Sequence, residues 1–159
     1  MTCSQEFLPP SYAECHGVAR RAASSFYPCF FLLRRPRRRA MEALYAFMRY
    51  TDDLADAGGV RDRAAALWEW RGGLEAAIAG KIVRPASPAQ RILVAVADTV
   101  ERFQIPHRHL FDVIGGVEMD LERRRYATFA ELARYCDLVA GAVGLACIRI
   151  WGFLGEEPV

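Results

Sequence analysis

Apolar residues recur along this chain every three or four positions, and this spacing is typical of helices with one buried face. The pattern predicts a first helix with Ser11 as its N-cap and Glu14 completing a capping box. It predicts a second helix with Pro36 in its first turn, which continues through an acidic stretch to Gly58 and Gly59. No stretch shows the strict alternation of a half-buried strand, so the expected fold class is all-α.

Further helices follow from the same reasoning. They are expected to end near Gly80, to cover residues 89–103, to begin at Pro106, and to begin with Thr128 as N-cap and Glu131 at the third helical position. No internal repeat or low-complexity linker divides the sequence. Residues 1–159 are therefore expected to form a single helical domain.

The segment "ALYAFMRYTDDLAD", which ends at Asp56, carries the most informative side chains. Tyr45, Arg49, Asp52 and Asp56 have the spacing i, i+4, i+7 and i+11, which places them within a sector of about 60° on a helix. Two carboxylates one turn apart repel each other unless a cation compensates their charge. Mg²⁺ prefers oxygen ligands and usually completes its coordination with water and substrate phosphates. The segment thus predicts a face that binds magnesium and a diphosphate.

A solvated acidic helix end, with Arg49 paired to Asp53, explains the same residues without a ligand. Acidic side chains near a helix C-terminus are unfavourable against the helix dipole, which favours a functional reason for their presence. From the residues alone the two interpretations stay open.

Composition limits the classes of partner. Apolar residues make up 53% and charged residues 25% of the chain, which is ordinary for a globular protein. The net charge of +2 does not indicate a nucleic-acid partner, and the run from Arg34 to Arg39 is more typical of a solvated helix start than of a polyanion site. The five cysteines have no CxxC spacing and no secretory signal is present, so we expect reduced thiols in a cytoplasmic protein.

Three other features have ordinary explanations. The apolar segment from Leu138 to Gly155 contains Arg149, so a buried helix is expected there rather than a membrane span. His107 and His109 lie two residues apart at a helix start and are expected at the surface.

Two ordered blocks of sequence resemble the squalene/phytoene synthase family, whose members join two prenyl diphosphates head to head. The first block is "SSFYPCFFLLRRPRRRAMEALYAFMRYTDDLAD", which ends in a DDxxD motif, and the second is "YCDLVAGAVGLACIRIWG", from Tyr135 to Gly152. The segment "MDLERRRYATFAEL" between them is also similar to the family. The resemblance implies an all-α helical bundle of the isoprenoid synthase type around a deep apolar cavity.

The resemblance also implies roles for individual residues. Asp52 and Asp56 would hold Mg²⁺ against the substrate diphosphate, while Arg49 and Tyr45 would contact the diphosphate itself. The guanidinium fork of arginine suits this contact because it can bind two phosphate oxygens at once. Tyr135 matches a motif tyrosine that steers the carbocation or the departing proton.

Four more positions are expected at the substrate pocket by the same resemblance. Ser25 and Phe26 would form part of its lip, and Val139 and Gly141 would contact the substrate. Gly141 and Gly144 each cost about 1 kcal/mol relative to alanine inside a helix, so something should compensate for them. Close packing of a neighbouring helix and a cavity wall beside the isoprenoid chain are both consistent with that cost.

The implied reaction is the Mg²⁺-dependent condensation of two molecules of farnesyl or geranylgeranyl diphosphate, with NADPH needed only if it continues to squalene. Ionisation of an allylic diphosphate requires electrostatic stabilisation of the leaving group and a chamber that excludes water. A carboxylate-lined mouth over an apolar interior meets both requirements.

The chain departs from the family pattern after "WGFLGEEP", because the second aspartate-rich motif of the family lies beyond the position of Val159. Glu118 and Glu122 are expected to form salt bridges with the arginines at 123–125 rather than to replace that motif. The chain alone is therefore expected to be inactive, with exposed apolar faces that favour self-association and with peripheral membrane contact. The alternative is a non-catalytic helical module that binds a prenyl lipid or a partner protein.

Overall fold

The computed structural model describes residues 5–22, 24–56, 60–122 and 125–155, and every regular element in them is helical, which confirms the predicted fold class. The α-helices are α1 (Leu8–Arg21), α2 (Arg35–Asp56), α3 (Val60–Ile78), α4 (Pro88–Phe103), α5 (His107–Glu122), α6 (Phe129–Cys136) and α7 (Ala142–Trp151). Two 3₁₀ helices precede α1 and α2 (Gln5–Phe7 and Tyr27–Leu32), and a π-helical turn (Asp137–Gly141) joins α6 to α7.

Helix α2 is the centre of the bundle, since it packs against α1, α3, α4, α5 and α7. Its buried face carries small residues such as Ala40 and Ala43, which let the neighbouring helices come close. Phe47 is fully buried and stacks on Trp70 of α3 with ring centroids 5.5 Å apart. The Trp70 indole donates a hydrogen bond of 2.9 Å to the hydroxyl of Thr51, which itself donates to the Phe47 carbonyl oxygen. Burying one such aromatic side chain contributes about 1.5–3 kcal/mol, so these contacts fix the middle of α2.

The predicted start of the first helix was wrong, because α1 begins at Leu8 and buries Ser11 in its interior. Pro9 and Pro10 fill the first turn, where backbone N–H groups have no helical partner and proline costs nothing. Glu14 is consequently not part of a capping box. It lies one turn further along and accepts a hydrogen bond from Arg91 of α4.

Other predicted helix ends are confirmed. Pro36 lies in the first turn of α2, and α3 ends two residues before Gly80, whose positive φ of 67° reverses the chain. The Thr128 hydroxyl accepts a hydrogen bond from the Glu131 N–H at the start of α6, as expected for an N-cap. Gly58 and Gly59, the expected end of α2, lie outside the described residues.

The helix predicted to run unbroken from Thr128 is interrupted by the π turn between α6 and α7. This turn lies against α5, where a Cβ atom added to Gly116 would overlap the Val139 side chain and lie 3.1 Å from the Leu138 Cβ. Gly141 and Gly144 are both exposed, so neither packs closely against a neighbouring helix among the described residues, and the cavity wall stays a prediction. The close approach of two helices occurs at Gly116 instead.

His109 is buried, which contradicts the surface position expected for it, whereas His107 is exposed as expected. Burial of the ring lowers the pKa of His109 below its ordinary value, and the neighbouring Arg108 acts in the same direction. The imidazole is therefore neutral at neutral pH.

The cysteines that the structure describes differ in their burial. Cys15 and Cys147 are buried, Cys29 and Cys136 are exposed, and all four are free thiols, while Cys3 lies outside the described residues. Within the described ranges, no helix combines the length and the apolar content that a membrane crossing requires. The cytoplasmic location and the single domain over residues 1–159 stay predictions.

The close approach at Gly116 leads to a stability prediction. Gly116→Ala should lower the free energy of unfolding by about 1–3 kcal/mol, because its methyl group overlaps Val139 and the helices must separate. Gly144→Ala is the matched control, since nothing lies within 4 Å of its added Cβ and alanine favours the helix by up to about 1 kcal/mol. Urea unfolding followed by circular dichroism measures both, and equal stability of the two variants would contradict the packing.

Candidate functional site

Three carboxylates lie exposed at the C-terminal end of α2, at Asp52, Asp53 and Asp56. Although the Asp52 side chain reaches solvent, partial desolvation by the surrounding protein raises the pKa of its carboxyl above the ordinary value. Arg49 opposes this shift, and the carboxylates that add to it are those of Asp56, Asp53 and Asp120. The end of α2 therefore carries negative charge that the neighbouring protein does not fully compensate.

Arg49 forms an ion pair with Asp53, with 2.6 Å between Nη2 and Oδ1. This is the pairing expected for a solvated helix end, and it is one of the two interpretations that the sequence left open. Both side chains are about half exposed, and such surface pairs contribute at most about 1 kcal/mol. The ion pair leaves the carboxylates of Asp52 and Asp56 without a direct arginine partner among the described residues.

Tyr135, the predicted residue of the second block, has a carboxylate partner on α5. Its hydroxyl donates a hydrogen bond of 2.6 Å to Oδ2 of Asp120, and the ring of Tyr126 lies 5.1 Å away from its own. The hydrogen bond to Asp120 is the main reason why the pKa of Tyr135 is raised well above its ordinary value. The phenol therefore stays protonated at neutral pH and acts as a hydrogen-bond donor.

Asp120 joins the two sequence blocks. It accepts the hydrogen bond of Tyr135 and is near enough to Asp52 to raise the pKa of that carboxyl. Helix α5 runs antiparallel to the segment formed by α6 and the π turn. Gly116 of α5 contacts Val139 of that segment. One turn further along α5, Asp120 contacts Tyr135. No local pattern in the sequence distinguishes Asp120, because its importance depends on contacts with helices far away in sequence.

The remaining predicted pocket residues form two groups, one near the 3₁₀ helix Tyr27–Leu32 and one in the π turn. Tyr45 is half-buried one turn before Arg49, and its ring meets the edge of Phe30, 6.1 Å away, in the 3₁₀ helix Tyr27–Leu32. Ser25 and Phe26 lie exposed just before that 3₁₀ helix.

On the other side, Val139 is half-buried against Gly116 of α5, within the π turn that follows Tyr135. Gly141 is exposed at the end of the same turn, and the nearest atoms to its Cβ position belong to Asp137 and Cys136 of its own segment. Val139 is thus near the Tyr135 side of the site, and Gly141 borders open space.

No group of three or more His, Cys, Asp or Glu side chains in the described part of the chain is placed to hold a metal ion. The predicted partner of Glu118 was wrong, because α3 packs against α5 and Glu118 pairs with Arg71 of α3 at 2.8 Å. The Glu122 side chain lies outside the described residues. Asp52 and Asp56 therefore offer a two-residue oxygen donor set, and any ion bound there must take its other ligands from water or a substrate.

A large cleft among the described residues lies elsewhere. It has a volume of about 1310 Å³ and is bordered by Tyr12, Arg35, Arg39 and Arg108, at the N-terminal end of α2. Arg39 precedes Asp52 by thirteen positions, which is about 20 Å along a helix. This cleft is not part of the acidic site.

Comparison with known proteins gives consistent matches. Residues 19–158 match the family model for squalene/phytoene synthase. The chloroplastic phytoene synthase of Narcissus pseudonarcissus is 35% identical over 151 residues, which is 94% of this chain and 34% of that protein.

Two solved structures share the fold. A dehydrosqualene synthase in complex with ligand aligns with a TM-score of 0.76 at 30% identity, over 92% of this chain and 48% of its own. The squalene synthase HpnC from Alicyclobacillus acidocaldarius aligns with a TM-score of 0.79 at 28% identity, over 94% of this chain and 54% of its own. The chain thus spans between a third and about half of the length of these proteins.

The raised pKa of Asp52 predicts how the acidic end affects stability. The pKa of Asp52 in the folded state lies above its ordinary value of 3.8. The carboxyl therefore contributes fully to the stability of the fold below pH 3.8, and this contribution is lost as the pH rises through the folded-state pKa. At neutral pH, Asp52→Asn should therefore be at least as stable as the unmodified chain in metal-free denaturant titrations. Asp62→Asn is the control and should be less stable, because Asp62 lies in the first turn of α3, where the helix dipole favours it.

The Asp120–Tyr135 hydrogen bond predicts a spectroscopic change. Asp120→Asn should lower the pKa of the Tyr135 phenol, because the charged acceptor that stabilises the protonated form is removed. Tyrosinate absorbance is followed on alkaline titration, and the curve of a matching Tyr135→Phe chain is subtracted to isolate this phenol. Asp112→Asn removes a charge from the same helix and should leave the pKa of Tyr135 unchanged; an equal effect of both variants would contradict the assigned pairing.

Proposed function

Because the chain belongs to the squalene/phytoene synthase family, we propose that it forms one acidic wall of an enzyme that condenses two prenyl diphosphates head to head. The expected substrates are farnesyl or geranylgeranyl diphosphate. In this proposal the chain accounts for diphosphate binding and for part of the surface that guides the carbocation. The helices that correspond to the remaining length of the relatives would provide the second acidic wall.

The observation that carries the proposal is that Asp120 accepts the hydrogen bond of Tyr135 and also acts electrostatically on Asp52. A carboxylate that would act on the diphosphate and a phenol that would act on the carbocation both interact with the same side chain. In an ionisation reaction these two events occur at the two ends of one breaking C–O bond. Such a reaction requires the groups that act on the two events to be held on one side of the same cavity, and the shared interaction with Asp120 supports this arrangement.

A divalent ion fits the acidic end of α2. The pKa of Asp52 is raised first by partial desolvation and then by the carboxylates of Asp56, Asp53 and Asp120, so a cation at this carboxyl would be favourable. Two carboxylates one turn apart are hard oxygen donors of the kind that Mg²⁺ accepts. Asp52 and Asp56 would hold the ion, which when bound would neutralise charge on the departing diphosphate. The ion would also relieve the repulsion that the carboxylates exert on each other.

Arg49 is proposed to leave Asp53 and bind the diphosphate. The ion pair is half-exposed and therefore weak, whereas a guanidinium fork on phosphate oxygens makes two charge-assisted hydrogen bonds. Tyr45 lies one turn earlier and could donate its hydroxyl to the same anion. Ser25 and Phe26 would border the entrance on the side of the 3₁₀ helix that Tyr45 contacts through Phe30.

Tyr135 is proposed to act as a neutral phenol. Its raised pKa excludes a phenolate at neutral pH, so it cannot remove a proton as an anion. The hydrogen bond to Asp120 increases the electron density on its oxygen and fixes the direction of the ring. Both effects stabilise a nearby carbocation, with Val139 excluding water beside it.

The apolar surface needed for the isoprenoid chains is supported by exposed side chains on α6. Phe129 and Leu132 are exposed, although large apolar residues are usually covered. The missing cover would come from the remaining helices of the fold, or from a second copy of this chain if it self-associates. NADPH would take part only if the reaction continued to squalene.

A non-catalytic module that binds a prenyl lipid is the competing function, and the Arg49–Asp53 ion pair is the observation in its favour. Calorimetric titration of a non-hydrolysable prenyl diphosphate analogue, with and without Mg²⁺, distinguishes the two. We expect Mg²⁺ to strengthen binding, because it bridges the carboxylates and the diphosphate.

The double variant Asp52→Asn/Asp56→Asn should lose the effect of Mg²⁺ on binding. Asp53→Asn is the control, since it removes a charge from the same turn but releases Arg49, and it should keep the effect. Binding that is independent of the metal in all three chains would contradict the enzyme and support the lipid-binding module.

A further inference from the structure

The N-terminal end of α2 carries arginines that the fold does not neutralise. Arg34, Arg35 and Arg37 are exposed, and none of them forms an ion pair with a residue that the structure describes. The next two arginines have partners, since Arg38 lies over the ring of Phe31 and Arg39 over that of Tyr12. The charge run is thus divided into two arginines that pack on aromatic rings and three exposed arginines that do not, of which Arg35 also borders the cleft at this end of α2.

Large exposed apolar side chains come just before these arginines in the sequence. Phe31 and Leu32, at the end of the 3₁₀ helix before α2, are 55% and 88% exposed. Apolar side chains of this size are normally covered, and their exposure together with cations marks a surface for a particular partner. We name Phe31, Leu32, Arg34, Arg35 and Arg37 the arginine patch.

A second part of the chain reaches the same place. Gly152, just after α7, has a positive φ of 85°, and an added Cβ there would lie 3.4 Å from the guanidinium of Arg37. Its neighbours Trp151 and Phe153 are 49% and 40% exposed. Apolar side chains from two distant segments therefore border one group of cations.

We propose that the arginine patch docks the protein on an anionic lipid surface. Phe31 and Leu32 enter the headgroup region, and Arg34, Arg35 and Arg37 contact the lipid phosphates. Interfacial binding of this kind combines buried apolar area with attraction to anionic lipid.

Charge selects this partner over a second copy of the chain. A symmetric dimer through the patch would bring like charges face to face, because both subunits contribute the same surface. The exposed apolar pair in turn distinguishes a lipid surface from a purely polyanionic partner, which would leave Phe31 and Leu32 in water.

The placement also orients the molecule. Helix α2 has 22 residues and is therefore about 33 Å long, with the patch at its first residue and the acidic pair at its last turns. Docking through the patch keeps Asp52 and Asp56 towards the aqueous phase. The inference does not depend on the proposed reaction, since the patch contains none of the residues assigned to it.

Vesicle co-sedimentation of the full chain tests the proposal, with vesicles of phosphatidylcholine alone and of phosphatidylcholine and phosphatidylglycerol in equal parts. The chain should bind the anionic vesicles, and added salt should weaken the binding. The triple variant R34Q/R35Q/R37Q should bind about a hundredfold more weakly, at about fivefold for each arginine near the surface. The variant F31S/L32S should also bind more weakly, because the apolar contribution is lost.

The matched control is R20Q/R125Q/R134Q, which removes the same charge from exposed arginines outside the patch and should bind like the unmodified chain. Circular dichroism checks that each variant remains folded. Equal binding to neutral and anionic vesicles, or equal losses in the two triple variants, would overturn the proposal. So would patch variants that alter only the sedimentation coefficient of the chain, since that result would assign the patch to self-association.

Discussion

The burial of the middle of α2 is the constraint on which the other features depend. Helix dipoles favour acidic residues at the N-terminus and basic residues at the C-terminus, and α2 has the opposite arrangement at both ends. Such a helix gains little from its own sequence, and its stability comes from the neighbours that cover its central turns. The contacts of Phe47 and Thr51 with Trp70 therefore hold in place two charged ends that would disfavour an isolated helix.

The helical periodicity was enough to predict the fold class and most helix boundaries, because these depend on local spacing and on proline, glycine and capping residues. The error at Ser11 has a local cause. The capping-box pattern fits Ser11 and Glu14, but two prolines just before them suit a first turn equally well, and burial of Ser11 in the bundle decides between the two.

Long-range contacts account for what the sequence did not predict. The π turn between α6 and α7 and the buried ring of His109 both follow from how α5 packs against its neighbours. In the candidate site, too, local spacing predicted some features and long-range contacts decided the others. Spacing on one helix was sufficient to group Asp52 with Asp56, whereas the role of Asp120 requires α5 to meet both α2 and α6, which no local pattern specifies.

The glycine at position 116 has an effect beyond packing. Gly116 and Asp120 are on the same face of α5, one turn apart, so the missing methyl group at the first position sets how far the second must reach to Tyr135. Gly116 thus sets the distance between the helices across which the Asp120–Tyr135 hydrogen bond forms. Its replacement would resemble damage to the reactive centre in an assay, even though the new atoms would never touch a substrate.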